Sequence, residues 1–133
     1  MAHTQAVCTS FKGELLSGIH NFEQGSGGGT TTTAGTGNTF KIALYTSSST
    51  MSASTTAYTS TNEVSGTNYS ATGNSLTNVD PSTSGTTALT DFADSTWSDA
   101  SLTANGALIF NDSASGDPAV CSLAFGGDKT STA

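Results

Sequence analysis

Apolar residues along this chain are gathered in short runs, and clusters of serine, threonine, glycine, asparagine and aspartate separate the runs. This pattern is typical of short strands joined by turns. The clearest run is TFKIALYT at positions 39–46, where Phe40, Ile42 and Leu44 alternate with the residues between them. A period of two predicts a half-buried strand with these three side chains on its buried face.

The C-terminal third predicts a β-hairpin. Residues 102–111 place apolar or small side chains at every second position, and residues 119–125 form a second apolar run. The polar sequence NDSASGD and Pro118 separate the two runs and read as a turn. We therefore expect these two segments to pair as antiparallel strands.

Two weaker patterns complete the fold prediction. Residues 76–79 predict a short strand that stops at Asp80-Pro81, because proline has no N–H for a strand ladder. Residues 87–99 carry Leu89 and Phe92 and predict a further strand. Several short strands with turns between them indicate an all-β fold, a small antiparallel β-sandwich or barrel with long polar loops.

The N-terminal region has a different periodicity. In CTSFKGELLSGIHNF, Phe11, Leu15, Ile19 and Phe22 recur at helical spacing, with Ser10 as the expected N-cap. We expect a short amphipathic helix of two to three turns. Its apolar stripe either caps one open end of the β core or docks on a partner chain. The candidate assembly residues are therefore Phe11, Leu15, Ile19 and Phe22.

These patterns divide the chain into three parts: an N-terminal arm with the short helix at 1–22, a linker or loop at 23–38, and a β domain at 39–133. The segment 23–38 is rich in glycine and threonine and has no large apolar side chain. It lacks the Gly-Lys-Ser/Thr ending of a phosphate-binding loop, which argues against nucleotide binding.

The sequence of residues 47–75 predicts a long polar segment that extends away from the β core. Met51, Tyr58, Val64 and Tyr69 are its isolated apolar or aromatic anchors. We expect Tyr58 and Tyr69 to hold this segment in place, and one helical turn to form at 61–64.

Composition and charge exclude several classes of protein. Serine, threonine and glycine make up 61 of the 133 residues, the formal charge is −7, and the cations are three lysines with no arginine. Nucleic-acid binding needs a basic surface, so we expect no nucleic-acid partner. The longest apolar run has four residues, far below the roughly 18 of a membrane span, so we expect no membrane partner. No export signal opens the sequence, which predicts synthesis in the cytoplasm.

Acidic side chains offer little for catalysis or metal binding. In an alternating strand Asp91 and Asp94 point to opposite faces, and aspartate is common at strand ends. The alternate polar positions from Asn111 to Asp117 resemble a calcium loop, but the twelfth position is Ser122 and not glutamate. A hairpin turn is the simpler interpretation, and we expect no metal site.

The histidines and cysteines are equally sparse. His3 and His20 are the only histidines, so neither a metal cluster nor a catalytic triad can be argued, and we expect both rings to be solvated or to act as caps. Cys8 and Cys121 are expected to be free thiols, with a bridge formed in an oxidising medium as the alternative. The sequence thus predicts a protein that is not an enzyme and has no cofactor.

The aromatic residues keep one binding function open. Trp97, Tyr45, Tyr58 and Tyr69 are the rings that a carbohydrate-binding module would use for stacking on sugars. A lone tryptophan in a strand is more often part of the core, so this function is the weakest of the binding alternatives.

Four long motifs carry a resemblance to a known family. The runs CTSFKGELLSGIHNF, TFKIALYTSSSTMSASTTAYTSTNEVSG, DFADSTWSDASLTANGALIFND and AVCSLAFGGDKTS span nearly the whole chain. Together they resemble a family of small Thr/Ser/Gly-rich structural proteins of tailed-bacteriophage virions. The resemblance implies a capsid decoration, or cement, protein on the outer surface of the shell, with a tail, tail-tip or fibre component as the alternative.

The resemblance also implies the partners. These are the major capsid protein and further copies of the chain itself, in a homo-oligomer for which a trimer suits a three-fold lattice position. Many weak identical contacts across a shell stabilise it through multivalency. Under this hypothesis, deletion of residues 1–22 leaves a folded β domain that no longer binds its assembly.

Overall fold

A computed structural model describes residues 3–24 and 37–133 of the chain. The described part is mostly β-structure with one short helix, and none of its helices is long and apolar enough to cross a membrane. The elements in chain order are β1 Ala6–Val7, α1 Thr9–Leu16, β2 Phe40–Tyr45, β3 Asn74–Ser75, β4 Asn78–Ser84, β5 Thr87–Phe92, β6 Leu102–Asn111 and β7 Ala119–Ser131.

The strands form two antiparallel sheets that pack against each other. The larger sheet has the order β1-β7-β6-β2-β3, and β4 pairs with β5 in the smaller one. The ring of Phe92 on β5 reaches the larger sheet and contacts Phe22 and Phe40. The predicted all-β sandwich is confirmed, whereas the barrel alternative is not, because the larger sheet ends at β1 and β3 without closing.

The predicted C-terminal hairpin is also confirmed, and β7 is longer than expected. Residues 106–110 pair with 119–124, and the ladder resumes where Ala104 faces Lys129. Between these stretches, Asn105 lies opposite four residues at 125–128, and its amide donates to Asp128 Oδ1 at 2.8 Å. Two glycines of β7 with positive φ make this irregularity possible. The alternating apolar pattern of the sequence therefore breaks here, although β7 continues.

The predicted end of the strand at Asp80-Pro81 is wrong. Strand β4 passes through Pro81 to Ser84, and the register against β5 shifts between Val79 and Ser82. Proline is tolerated here because β4 belongs to a two-stranded sheet and the residue lies at the irregularity, where no ladder N–H is required.

The larger sheet is buried on both faces, and not on one as the alternation in β2 predicts. Ala43 and Tyr45 join a cluster with Phe40, whereas Leu44 joins a second cluster with Val64. The polar segment between β2 and β3 causes this, because it sends anchors to both clusters. Its members are Met51 and Tyr58 in the first cluster and Val64 and Tyr69 in the second.

No helical turn forms at 61–64. Asn62 adopts a positive φ of 63°, and the next residue forms a β-bridge from Glu63 to Tyr45. A left-handed residue interrupts a right-handed helix, which explains why this expectation fails.

The N-terminal helix is shorter than its apolar periodicity. It begins after Cys8 and not Ser10, spans two turns, and ends before Gly18, which has a φ of 74°. The left-handed glycine redirects the chain, so Ile19 and Phe22 lie outside the helix. The predicted single stripe is therefore divided.

The N-terminal region is part of the core and not a separate arm. Strand β1 pairs with β7, while Phe11 and Phe22 lie in the same cluster as Phe40 and Phe110. The proposed boundary between parts 1–22 and 39–133 is therefore not a boundary in packing. Most of the predicted linker at 23–38 lies outside the described residues.

This packing reverses the expectation for a deletion of residues 1–22, which removes two buried phenylalanine rings and an edge strand. A milder test is Phe22→Ala. Phe22 stacks on Phe40 with ring centroids 4.4 Å apart, so its truncation should lower the free energy of unfolding by about 3–5 kcal/mol. Urea denaturation followed by circular dichroism measures this change.

The matched control is Leu16→Ala in the same region. Leu16 is 92% exposed, so its truncation should change the stability by less than about 0.5 kcal/mol. A loss below about 1 kcal/mol for Phe22→Ala would contradict a core role for residues 3–24.

Candidate functional site

A groove of about 550 Å³ separates the N-terminal region from the smaller sheet. Phe11 and Leu15 of α1 line one side, Pro81 and Ala88 line the other, and Phe22 lies between them. The volume is in the range of about 300–1,000 Å³ that is usual for binding pockets. Because most of these side chains are apolar, the groove is suited to hold apolar groups of a partner.

Three of the four predicted assembly residues border this groove, although their exposure differs. Phe11 and Phe22 are buried in the core and present only part of their rings to it, whereas Leu15 is 45% exposed. Ile19 is also half exposed but does not line the groove. The residues available to a partner are therefore the two aliphatic ones and not the whole stripe.

The β4–β5 hairpin forms the other wall, which the sequence analysis did not identify. Ala88 and Thr90 alternate with Leu89, so they share the face of Phe92, which points to the core. Leu89 itself is 47% exposed and also lines the groove, and Val79 on the neighbouring strand is similarly accessible. The signal in the sequence was Leu89 among the threonine and alanine residues at 86–90.

His20 lines the groove, and its ring is held by polar partners on both nitrogen atoms. The Nδ2 group of Asn111 donates to His20 Nδ1 at 3.1 Å, and His20 Nε2 lies 2.8 Å from Glu14 Oε2. The oxygen of Asn111 accepts from the N–H groups of Ser113 and Ala114, which sets the amide orientation. His20 Nδ1 is thus an acceptor, and Nε2–H donates to Glu14.

The same amide group links the His20 ring to Asn38, so it connects the two segments that flank residues 25–36. Asn111 Nδ2 also donates to Asn38 Oδ1 at 3.0 Å, and that oxygen accepts from the N–H of Asn21 at 2.7 Å. Asn38 N–H in turn donates to the Asn21 carbonyl. This network positions one end of the groove and keeps its shape.

Both histidines are buried, so the expectation of solvated rings is wrong. The ring of His3 lies against Gly106, where a Cβ atom would be 2.6 Å from it, and His3 Nε2 donates to the Thr46 carbonyl. Only glycine leaves room for this ring on β6. Both histidines therefore organise the packing of the N-terminal region.

The rim of the groove is acidic. Glu23 lines the groove itself, and Asp80 and Asp91 lie on the adjoining hairpin. Across residues 3–24 and 37–133, the lysine ion pair is Lys41 with Asp112, and no lysine pairs with Glu23, Asp80 or Asp91. No lysine is thus paired with a carboxylate of the rim in this part of the chain, and the rim carries a local negative charge.

The other acidic candidates are dispersed. Asp91 lies in β5, and Asp99 occupies a turn position with a φ of 53°. No group of three or more histidine, cysteine, aspartate or glutamate residues converges as metal ligands within the described residues. The sequence from Asn111 to Asp117 forms the turn between β6 and β7, in which the Asn111 side chain is already used by the protein.

The tyrosines and the tryptophan pack inwards. Tyr45 is fully buried and donates to the Thr59 carbonyl, while Tyr58 and Tyr69 donate to the two carboxylate oxygens of Glu63 at 2.6 and 2.7 Å. Trp97 stacks on Tyr69 against the second cluster. These rings fasten the long polar segment as expected for Tyr58 and Tyr69, and they do not form an exposed platform for sugars.

Burial governs the acid–base properties of these side chains. It raises the pKa of Tyr58 to about 12, with the nearby Glu63 carboxylate acting in the same direction, and it raises the pKa of Tyr45 and Tyr69 further. Cys8 and Cys121 are free thiols, as expected. Burial raises both thiol pKa values, that of Cys121 to about 11.

No protein-family model, curated protein or solved structure matches this chain.

All three tyrosines should ionise only as the protein unfolds in alkali. Their pKa is higher in the folded state than in the unfolded chain, so stability is unchanged by them below about pH 10 and falls as the pH rises further. Absorbance of tyrosinate at 295 nm should therefore rise together with the loss of circular dichroism. A separate ionisation near pH 10 in the folded protein would contradict the burial of these rings.

Cys121 should react slowly with thiol reagents. A pKa of about 11 instead of the ordinary 9.0 lowers the thiolate fraction at pH 8 by about 100-fold, and the thiolate is the reactive form. Alkylation followed by mass spectrometry should be slower by at least this factor in the native protein than in urea. Equal rates in the two states would be the contrary result.

Proposed function

We propose that this chain is a non-enzymatic structural protein of a tailed-bacteriophage virion, which decorates the outside of the capsid and stabilises it. Its partners are the major capsid protein and further copies of the chain, arranged around a lattice axis as a homo-oligomer such as a trimer. Two things support the proposal: the resemblance of the four sequence motifs and the open apolar groove beside the β4–β5 hairpin.

The distribution of exposed apolar side chains is the observation that carries the proposal. The surface is rich in hydroxyl groups, and large exposed aliphatic residues are few. Apart from Val7, they lie on α1, just after it, or on the hairpin. Leu15 and Leu89 line the groove, Val79 lies beside Leu89 on the hairpin, Ile19 follows the helix, and Leu16 lies outside the groove. A concentration of this kind on an otherwise polar surface is typical of an attachment face.

The architecture also suits a component that is repeated many times. Both faces of the larger sheet are buried, and polar networks fasten the long segment between β2 and β3. A rigid domain loses little conformational entropy on binding, and many copies on one shell need only modest affinity each. Attachment through one small apolar face is then sufficient.

Particles of the phage that encodes this chain provide the test. Symmetric reconstruction by cryo-electron microscopy should show the sandwich outside the major capsid layer, at a copy number comparable to that of the capsid protein. The groove and hairpin should face the shell. Quantitative mass spectrometry of purified particles gives the copy number independently.

A few copies per particle, with the domain found in the tail, would contradict capsid decoration and support the tail alternative. Absence from purified particles would overturn a virion role altogether. The matched control is the major capsid protein, whose copy number is known from the symmetry of the same reconstruction.

A further inference from the structure

The groove combines an apolar interior with acidic surroundings, and this restricts its occupant. Leu15, Ala88 and Pro81 offer apolar contacts, while Glu23 lies at the groove with no cation paired to it among the described residues. Asp80 and Asp91 extend the negative charge onto the hairpin. An occupant therefore gains most if it is apolar in the middle and positively charged at its flank.

A second copy of this chain is a poor occupant. The formal charge of −7 and the small number of lysines mean that another copy brings mainly acidic and hydroxyl groups to an acidic rim. Juxtaposition of like charges opposes binding, and specificity often depends on such repulsion. The charge of the rim thus favours a different chain with basic side chains.

A small uncharged molecule would make no ionic contact with the acidic rim. Asp80 also accepts from the N–H of Gln24 at 2.6 Å, which fixes its carboxylate beside the residues that follow Phe22. Asp91 similarly accepts from the N–H of Phe92. Local backbone contacts thus position these two charges around the apolar surface, ready to meet basic groups that accompany an apolar segment.

We infer that the groove binds an apolar peptide segment of the partner protein that carries lysine or arginine next to its aliphatic side chains. The inference rests on the proposed function in that it describes the shell surface to which this face attaches. The aliphatic side chains lie between α1 and the hairpin, and the basic side chains contact Glu23 and the hairpin carboxylates.

Short synthetic peptides test this with the purified full-length protein. One peptide alternates leucine and lysine over eight residues, and its matched control has glutamate in place of lysine. Chemical shift changes in the ¹⁵N-labelled protein should occur for the basic peptide only and should map to Leu15, Gly18, Asn21 and Thr90. Binding should weaken as salt is raised from 50 to 500 mM, because the rim charges are exposed to screening.

Matched variants separate the apolar and charged contributions. Leu15→Ser should weaken peptide binding at least about fivefold, while Leu16→Ser, next to it but outside the groove, should leave the affinity unchanged. Glu23→Gln and Asp91→Asn should each weaken binding about two- to fivefold at low salt. Leu89→Ser should also reduce binding, with Val7→Ser on β1 as a control of nearly equal exposure.

Equal binding of the acidic peptide, or shift changes that map away from the groove, would overturn the inference. So would a lack of binding by either peptide. The proposed function fails separately: if the protein is absent from particles while the basic peptide binds, the groove chemistry stands and the virion role does not. If the protein covers the capsid while no peptide binds, the virion role stands and the inference about the groove fails.

Discussion

The stack of Phe22 on Phe40, with Phe92 against both rings, holds three parts of the molecule together. Phe22 comes from the N-terminal region, Phe40 begins β2 of the larger sheet, and Phe92 ends β5 of the smaller one. Rings that bury this much apolar area contribute strongly to a small domain that contains few large side chains. Phe22 also lines the groove, so this stack connects the candidate site to the core.

Polar side chains take on positioning roles that charged pairs perform in many other proteins. Asn111 fixes the His20 tautomer and contacts Asn38, and Glu63 collects the hydroxyl groups of two tyrosines together with the N–H of Thr72. Such networks are costly to leave half satisfied, so they specify one arrangement of the polar segments. A surface rich in serine and threonine can therefore coexist with a well-defined interior.

Sequence reasoning found the elements whose patterns are local. Strand β2 and the β6–β7 hairpin follow alternation and turn chemistry, and both were predicted at nearly their observed positions except for the C-terminal part of β7. The helix and β4 were predicted less well. At Gly18 a left-handed residue ends the helix while the apolar spacing continues, and at Pro81 a register shift lets the strand continue past a residue that normally ends it.

The sequence by itself determined the all-β class, the antiparallel pairing of its C-terminal segments and the acidic, hydroxyl-rich surface, because alternation, turns and charge depend on neighbouring residues. Tertiary structure decided which apolar side chains are buried. It buried Phe11 and Phe22 while leaving Leu15 exposed, and it brought Glu23 next to a hairpin more than fifty residues away. Burial depends on contacts between segments distant in sequence, which no local pattern encodes.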